Sequence, residues 1–254
     1  MKLTHFSLFS GIGGIDLAAE WAGFKTVGQC EFADYPYKVL CKHWPDVPKW
    51  RDVRDVTAES VRDKGIGEIT LLSGGFPCQP HSVAGKRLAS ADERDLWPEY
   101  RRIIGEIRSK WVLAENVPGI LSSEDGRFFR GILRDLSEMG FDAGWCTYPA
   151  AWIGAIHRRE RVFTVAHAHC ARMESLDIPK PICHDTQKSQ RWEFARAINE
   201  AIPARDYARI RRNINGLSDI MDRLKCLGNA VVPQQVYPIL QAIADIEGGD
   251  SNDY

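Results

Sequence analysis

Apolar and polar positions along the first two thirds of the chain follow two different periods. Short apolar runs are typical of strands, and apolar residues spaced three or four positions apart are typical of helices. The pattern predicts strands at Leu3–Phe9, Thr26–Cys30, Ile69–Ser73 and Trp111–Ala114, and helices at Ile15–Trp21, Tyr35–His43, Asp95–Ile107 and Gly126–Met139. Because strands and helices alternate, we predict an α/β fold with a mostly parallel sheet covered by helices on both faces.

The alternation ends after residue 139. Two strands, Trp145–Tyr148 and Arg161–Ala166, follow each other without a helix between them, which predicts an antiparallel pair that closes the sheet. Pro, His, Cys and charged residues are then mixed, with one helical stretch at Trp192–Ile202, and a last apolar helix follows within Leu224–Ile246. We therefore expect a main body at 1–166, a small inserted lobe at 167–213, and a C-terminal segment at 214–254 that completes the body.

Composition adds the expected compartment. The 254 residues include seven scattered cysteines, an odd number that argues against a disulfide framework and for a reducing interior. The start of the chain lacks the features of a signal peptide, and no apolar run reaches membrane-spanning length. We therefore expect a cytoplasmic protein. The net charge is −1, but basic residues are in excess between 151 and 225. Such a segment fits a phosphate-contacting lobe, although charge alone favours a solvated surface on which the charges happen to cluster.

A glycine-rich turn lies between the first predicted strand and the first helix. Glycines there allow positive φ and close approach of a ligand, and the N–H groups at the start of the helix point at its polar atoms. Glu31 ends the second strand, where a carboxylate can accept hydrogen bonds from ribose hydroxyls. Together they indicate a cofactor that carries a nucleoside, with a dinucleotide and S-adenosylmethionine both open. The candidate residues are Phe9, Ser10, Gly11, Ile12, Gly13, Gly14 and Glu31.

Two further loops follow buried strands. Cys78 lies between Pro77 and Pro80, on a stiff loop after the strand Ile69–Ser73, and Glu115 follows the strand Trp111–Ala114. Loops after the carboxyl ends of strands line the ligand crevice of an open α/β sheet. A cysteine and a carboxyl group in one crevice indicate a nucleophile and an acid, although a buried cysteine and a salt-bridging Glu are common alternatives.

Arginines mark the edge of a late strand. Strand alternation places Arg159 and Arg161 on one face and Arg158 on the other. Two guanidinium groups near the crevice can bind a base carbonyl or a phosphate. Charges that protect an edge strand from pairing are an equally good explanation.

Taken in order, five segments resemble the motif set of the cytosine-5 DNA methyltransferases: FSLFSGIGG, GGFPCQPHS, AENVPG, RRERVF and CLGNAVVPQQV. The resemblance covers nearly the whole chain except 167–213. It implies a Rossmann-like S-adenosylmethionine-dependent sheet, with 167–213 as the target-recognition region. The residues that it assigns to the cofactor are those of the turn together with Glu31, Asp55, Pro77 and Asn229, and those that it assigns to catalysis are Cys78, Glu115, Arg159 and Arg161.

The resemblance also implies a reaction. The Cys78 thiolate would add to C6 of a flipped-out cytosine in duplex DNA, Glu115 would hold or donate a proton at N3, and C5 would then take the methyl group. No metal is needed. A cognate restriction endonuclease is a candidate partner, while the target sequence and the oligomeric state are not predicted.

Two features depart from the family pattern. His157 stands where the family usually has Gln, and the recognition region is short for reading a long site, so a partner or dimer could assist it. Methylation of tRNA and non-catalytic DNA binding are the rival functions. A zinc site in the lobe is the less favoured explanation of its His and Cys residues, since their spacing matches no standard pattern. Those residues are His167, His169, Cys170, Cys183 and His184.

Overall fold

The structure is a computed structural model, and it describes residues 2–77, 95–153, 159–168 and 230–248. Its strands are β1 (Thr4–Leu8), β2 (Lys25–Cys30), β3 (Lys49–Trp50), β4 (Leu71–Gly74), β5 (Trp111–Asn116), β6 (Phe141–Pro149) and β7 (Glu160–Ala168). Its helices are α1 (Gly14–Trp21), α2 (Asp34–His43), α3 (Ala58–Asp63), α4 (Trp97–Ile107), α5 (Arg127–Glu138) and α6 (Pro233–Gly248). Short 3-10 helices lie at Val53–Asp55, Pro118–Gly126 and Ala150–Ile153.

The seven strands form one mixed sheet in the order β3-β2-β1-β4-β5-β7-β6. The first five are parallel, and β7 is antiparallel to both of its neighbours. The predicted fold class is confirmed, and so is the predicted antiparallel pair, which is longer than expected at both ends. β7 continues through His167 and Ala168, two residues into the predicted lobe. The rest of that lobe, with the predicted helix Trp192–Ile202, lies outside the described residues.

Side chains from alternate strand positions pack into two hydrophobic clusters, one on each face of the sheet. Leu72 and Val112 belong to the cluster that includes α3, α4 and α5. Leu71 and Leu113 belong to the cluster that includes α1 and α6. This alternation confirms helices on both faces, and it brings the C-terminal helix α6 against α1, which follows the glycine-rich turn.

The carboxyl ends of four strands meet at one edge of the sheet. Leu8 pairs with both Cys30 and Gly74, and Gly74 pairs with Ala114. The direction of strand order reverses between β1 and β4, which is where α/β sheets of this type open a crevice for ligands. The residues that follow these strand ends therefore surround a common space.

A buried carboxyl group lies under this edge. Asp16, in the first turn of α1, is fully buried and accepts hydrogen bonds from Ser7 Oγ at 3.1 Å and Gln29 Nε2 at 2.9 Å. Burial raises the pKa of Asp16 to about 6, although both hydrogen bonds oppose the shift. The network fixes α1 against β1 and β2.

A buried histidine joins the same strands from within. The His5 ring is fully buried, with Nε2 at 2.7 Å from Ser73 Oγ and Nδ1 at 3.3 Å from Thr26 Oγ1. Burial lowers the pKa of His5 to about 3, so the ring is neutral at physiological pH. It ties β4 to β1 immediately before the Gly74–Pro77 loop.

Candidate active site

The turn after β1 has positive φ at three positions, two of which are glycines. Phe9 and Gly11 have φ of +51° and +56°, and Gly13, at +86°, directly precedes α1. Glu31 stabilises the turn, because one carboxylate oxygen accepts the Gly11 N–H at 2.7 Å and the other accepts the Ala33 N–H at 2.8 Å. One carboxylate thus joins the loops that follow β1 and β2.

Two glycines of the turn are required by close contacts. A Cβ on Gly13 would lie 2.4 Å from the ring of Trp44, which also donates a hydrogen bond to Glu20 on α1. A Cβ on Gly14 would lie 2.3 Å from the carbonyl oxygen of Val231. The turn therefore packs between the C-terminal end of α2 and the segment that precedes α6.

A cavity of about 720 Å³ opens beside this turn, within the usual size range of small-molecule sites. Its walls come from the loops after β1, β2, β4 and β5, from the region of β3, and from the segment before α6. The residues that line it are Phe9, Ser10, Gly11, Ile12, Gly14, Ile15, Cys30, Glu31, Phe32, Ala33, Asp34, Tyr35, Pro36, Arg51, Asp52, Val53, Arg54, Gly75, Pro77, Leu96, Glu115, Ala230 and Val231.

Most of the cofactor residues predicted from the sequence come together on this cavity. Two do not line it: Gly13, which packs against Trp44, and Asp55. Asp52, three residues before Asp55, does line it and caps the 3-10 helix by accepting the Arg54 N–H at 2.9 Å. Cys78 and Asn229 lie outside the described residues, as do His157 and Arg158.

Glu115 lies at the end of β5, on the far wall of the same cavity. It is buried, and its carboxylate contacts Arg161 Nε at 2.8 Å. Burial raises the pKa of Glu115, and the nearby Arg161 and Arg159 only partly offset this. The absence of a side chain at Gly75 makes room, because a Cβ there would lie 2.8 Å from the Glu115 carboxylate. Burial therefore favours the protonated form of the Glu115 carboxyl group, and the ion pair with Arg161 opposes it.

Asn116, the last residue of β5, connects this strand to the loop after β4. Its side-chain amide is buried, donates to the carbonyl of Phe76 at 3.1 Å, and accepts the Val117 N–H at 2.9 Å. The Phe76–Pro77 backbone is thus fixed beside Glu115. Since Cys78 follows Pro77 directly in the chain, this contact sets the position from which the Cys78 loop starts.

Arg161, in β7, and Arg159, which directly precedes β7, act on the same carboxylate. Arg161 forms the ion pair with Glu115, and Arg159 is close enough to affect its pKa. Arg159 also donates through Nη2 to the carbonyl of Ala230. Burial, together with the neighbouring Arg161, lowers the pKa of Arg159. Both arginines lie near Glu115, but Arg159 directly precedes β7 and has a φ of +30°, so the strand alternation predicted from the sequence does not account for its position.

Several lining residues were not predicted. Phe32 follows Glu31, and its large apolar ring is 73% exposed beside the cavity. Its place directly after Glu31 is a signal that sequence reasoning could have used. Ala230 and Val231 directly follow Asn229, but only the folded chain shows that their backbone reaches the turn after β1.

The described ranges contain no cluster of metal-ligating residues and no membrane-spanning helix. No group of three His, Cys, Asp or Glu residues is placed there to hold a metal ion. Of the five zinc candidates only His167 falls within those ranges; its ring packs on Trp111, with centroids 4.1 Å apart. The same part of the chain contains no helix that is long and apolar enough to cross a membrane.

The chain is similar to known proteins of one enzyme family. Residues 3–223 match the family described as C-5 cytosine-specific DNA methylase. The chain is 32% identical over 207 residues to the type II methyltransferase M.FnuDI of Fusobacterium nucleatum, covering 81% of this chain and 58% of that protein. Over 180 residues it is 28% identical to M.HhaI of Haemophilus parahaemolyticus, covering 70% of this chain and 53% of that protein. The chain spans little more than half the length of these relatives.

Solved structures give the same fold. A prophage-encoded E. coli protein described as a DNA modification methyltransferase matches with a TM-score of 0.58 and 27% identity, over 66% of this chain and 47% of that one. The Dnmt2 methyltransferase of S. pombe matches with a TM-score of 0.57 and 20% identity, over 74% of this chain and 58% of that one. The second likeness concerns the fold alone.

Proposed function

The chain belongs to the C-5 cytosine-specific DNA methylase family, and on that premise we propose that it transfers a methyl group from S-adenosylmethionine to C5 of cytosine in DNA. One observation carries the proposal: Glu31, which follows β2, and Glu115, at the end of β5, line different walls of the same cavity. A donor held at the first wall and a base held at the second would meet in one space. The methyl group of S-adenosylmethionine, bonded to a sulfonium, supplies the electrophile.

The cavity fits the cofactor by the chemistry of its lining. Glu31 uses its two oxygens on backbone N–H groups, and each oxygen has a further lone pair for a ribose hydroxyl. Phe32 offers an exposed ring on which an adenine can stack. Asp52, which lines the cavity, is a better candidate than Asp55 for the adenine amino group. Asn229 precedes the lining residues Ala230 and Val231, so its role at this pocket stays a proposal.

The substrate would react at the catalytic wall. The Cys78 thiolate adds to C6 of the cytosine, and the C5–C6 electron pair becomes available at C5. C5 bonds to the methyl carbon as the carbon–sulfur bond of the sulfonium breaks. A base then removes the C5 proton, the C5–C6 double bond re-forms, and the thiolate leaves. The base must leave the DNA stack for both faces of its ring to be reached.

Glu115 and the arginines would stabilise the charge that develops on the ring. A raised pKa lets the Glu115 carboxyl keep or donate a proton at N3 of the cytosine. Arg161 orients that carboxyl through its contact at 2.8 Å, and Arg159 holds a second guanidinium beside it. Both are then placed to hold the base and the loop that carries Cys78.

The substrate and its setting follow from this assignment. We propose that duplex DNA is the substrate and that residues 167–213 read the target sequence. The relatives named above are type II methyltransferases, which makes a cognate restriction endonuclease a candidate partner. A DNA substrate in a bacterial host would place the chain in the cytoplasm.

The test is transfer of tritiated methyl from S-adenosylmethionine to unmethylated duplex DNA and, separately, to unmodified tRNA. We expect label on DNA, located by bisulfite sequencing to cytosines within one short sequence. Cys78→Ser should abolish transfer while the affinity for S-adenosylmethionine is kept, and Cys41→Ser, at an exposed cysteine of α2, is the matched control. Label on tRNA alone would replace DNA by RNA as the substrate. Absence of label on both, with cofactor bound, would contradict catalysis by this chain.

A further inference from the structure

Arg159 has a backbone conformation that has to be maintained by its neighbours. Its φ of +30° lies in the left-handed region, which a residue with a long side chain rarely adopts. Such a conformation persists only where surrounding contacts fix it. At Arg159 the carbonyl oxygen accepts the Ala150 N–H at 3.3 Å and the Gln235 Nε2–H at 2.9 Å.

Gln235 makes the shorter of these two bonds from a fully buried position in the first turn of α6. Its amide nitrogen donates to the carbonyls of both Arg159 and Tyr148. Because both partners are acceptors, only the –NH₂ group can face them, which fixes the orientation of the amide. Gln235 therefore joins α6 to Tyr148 in β6 and to Arg159, which directly precedes β7.

The side chain of Arg159 is held by the same segment of the chain. Its Nη2 donates to the carbonyl of Ala230, five residues before Gln235, and Ala230 also lines the cavity. The backbone and the guanidinium of Arg159 are thus both fixed by residues 230–235. The side chain of Gln235, by contrast, is not on the cavity lining and contacts neither Glu115 nor Arg161.

We propose that Gln235 is a positioning residue for methyl transfer that acts through Arg159. This inference rests on the proposed function, because it assumes that Arg159 takes part in catalysis. Without the two donated bonds, the Arg159 backbone relaxes out of the left-handed region and its guanidinium turns away from Glu115. A displacement of about 1 Å in a catalytic group lowers rates by on the order of 100-fold.

The first test is a double-mutant cycle of Gln235→Met with Arg159→Ala, read by the rate of methyl transfer at saturating DNA and S-adenosylmethionine. Gln235→Met keeps the length of the side chain and removes both donors. We expect it to lower kcat roughly 10- to 100-fold and to have no further effect in the Arg159→Ala background. Independent, multiplicative losses would overturn the inference, since a purely structural role does not require Arg159. Gln241→Met, which removes a half-buried amide bonded to Tyr237 and Asp245 on the same helix, should leave kcat unchanged.

The second test is the pH profile of Gln235→Glu. A protonated Glu can donate one O–H bond to either carbonyl, whereas its carboxylate repels both. We expect the ratio of the variant's kcat to that of the unaltered chain to rise as pH falls from 8 to 6. The same ratio for Gln235→Met should stay flat. A flat ratio for Gln235→Glu would contradict positioning by a donated hydrogen bond.

A third measurement does not depend on activity. Hydrogen exchange across residues 148–161 should be faster in Gln235→Met than in the unaltered chain, and unchanged in Gln241→Met. Unchanged exchange in Gln235→Met would overturn the inference even if the chain methylates nothing. If Arg159→Ala transfers methyl at the normal rate, Gln235 cannot act through it, although the proposed function stands. Absence of methyl transfer by the unaltered chain would overturn the proposed function and the catalytic role of Gln235 with it, whereas the exchange measurement would still decide whether Gln235 holds the Arg159 backbone.

Discussion

The two walls of the cavity are built from different parts of the chain's chemistry. The wall after β1 and β2 consists mainly of backbone: a turn with positive φ at three positions, stabilised by one carboxylate that accepts two N–H bonds. The wall formed by the loop after β4, the end of β5 and the start of β7 consists of side chains, with Glu115 and Arg161 in a buried ion pair and Asn116 bonded to the loop after β4. The first wall depends on shape, and the second depends on charge.

This difference fits the tasks that the two walls would have. The first wall, where backbone groups lie beside Glu31 and Phe32, binds a ligand that must enter and leave, and its affinity comes from many modest contacts. Charged groups removed from water shift in pKa and act strongly on a reacting atom nearby. We therefore expect substitutions at the first wall to change affinity, and substitutions at the second to change rate.

The largest expected effect is at the catalytic wall, in Glu115→Gln. The amide has the shape of the carboxyl group but cannot transfer a proton, so kcat should fall by about 10²- to 10⁴-fold. The affinity for S-adenosylmethionine should stay within about twofold, below the roughly 1.4 kcal/mol that a tenfold change represents. Methyl-transfer kinetics and calorimetric titration of the cofactor measure the two quantities. Glu138→Gln, on the exposed face of α5, is the control.

A weakened affinity with normal kcat in Glu115→Gln would break the comparison. It would mean that Glu115 serves the cofactor, and that the two walls do not divide the tasks of binding and reaction.

The next largest effect concerns the base of the first wall, where Asp16 is buried. Because its pKa is raised to about 6 from a usual 3.8, the folded state binds the proton more tightly than the unfolded state does. The resulting stability is present below pH 3.8 and is lost as pH rises through 6. The loss is at most about 3 kcal/mol, at 1.36 kcal/mol per pKa unit. Asp16→Asn does not titrate, so it should gain stability relative to the unaltered chain between pH 4 and pH 7.

Urea unfolding at several pH values measures this gain. The low pKa of His5 makes both proteins less stable as pH falls below about 6.5, and that contribution cancels in the difference. Asp63→Asn, at an exposed position of α3, is the control variant. A constant difference between Asp16→Asn and the unaltered chain would mean that Asp16 does not titrate in this range.

The same contrast explains what could be predicted from the sequence. Glu115 and Arg161 stand in distinctive motifs, and their contact at 2.8 Å agrees with the expectation that both lie near one crevice, while their catalytic roles stay predictions. The details of the backbone wall were harder. A glycine pattern does not reveal that Gly13 packs against Trp44 or that Gly14 faces Val231, because those neighbours come from distant parts of the chain.

Spacing within short elements was also beyond sequence reasoning. The choice between Asp52 and Asp55 depends on the 3-10 helix at Val53–Asp55, which turns only one of these carboxylates toward the cavity. Strand β3, two residues long, was not predicted because so short a run has no period. The buried partners of Gln235 are main-chain carbonyls, which every residue possesses and no motif can indicate.

A smaller effect distinguishes two glycines of the backbone wall. In Gly14→Ala the new Cβ meets the Val231 carbonyl at 2.3 Å, and backbone cannot move aside easily. Overpacking of this kind costs about 1–3 kcal/mol of unfolding free energy, and affinity for S-adenosylmethionine should fall with it. In Gly11→Ala no heavy atom lies within 4 Å, so only the positive φ opposes the change, at about 1 kcal/mol. Equal losses of affinity in the two variants would mean that the contact with Val231 does not shape the site.

The smallest expected effect is that of Glu31→Gln. Gln retains one acceptor oxygen, so one of the two backbone bonds to Gly11 and Ala33 survives, while its –NH₂ group faces the other N–H. The affinity for S-adenosylmethionine should fall about tenfold, or roughly 1.4 kcal/mol, because the turn loosens and a charged acceptor for hydroxyl groups is lost. Once the cofactor is saturating, kcat should match that of the unaltered chain, since Glu31 is on the wall away from Glu115. The exposed Glu59→Gln is the control, and titration calorimetry with saturation kinetics gives both numbers. A fall in kcat that saturation does not restore would show that the turn also positions the methyl group, so that shape at the first wall contributes to rate as well as to affinity.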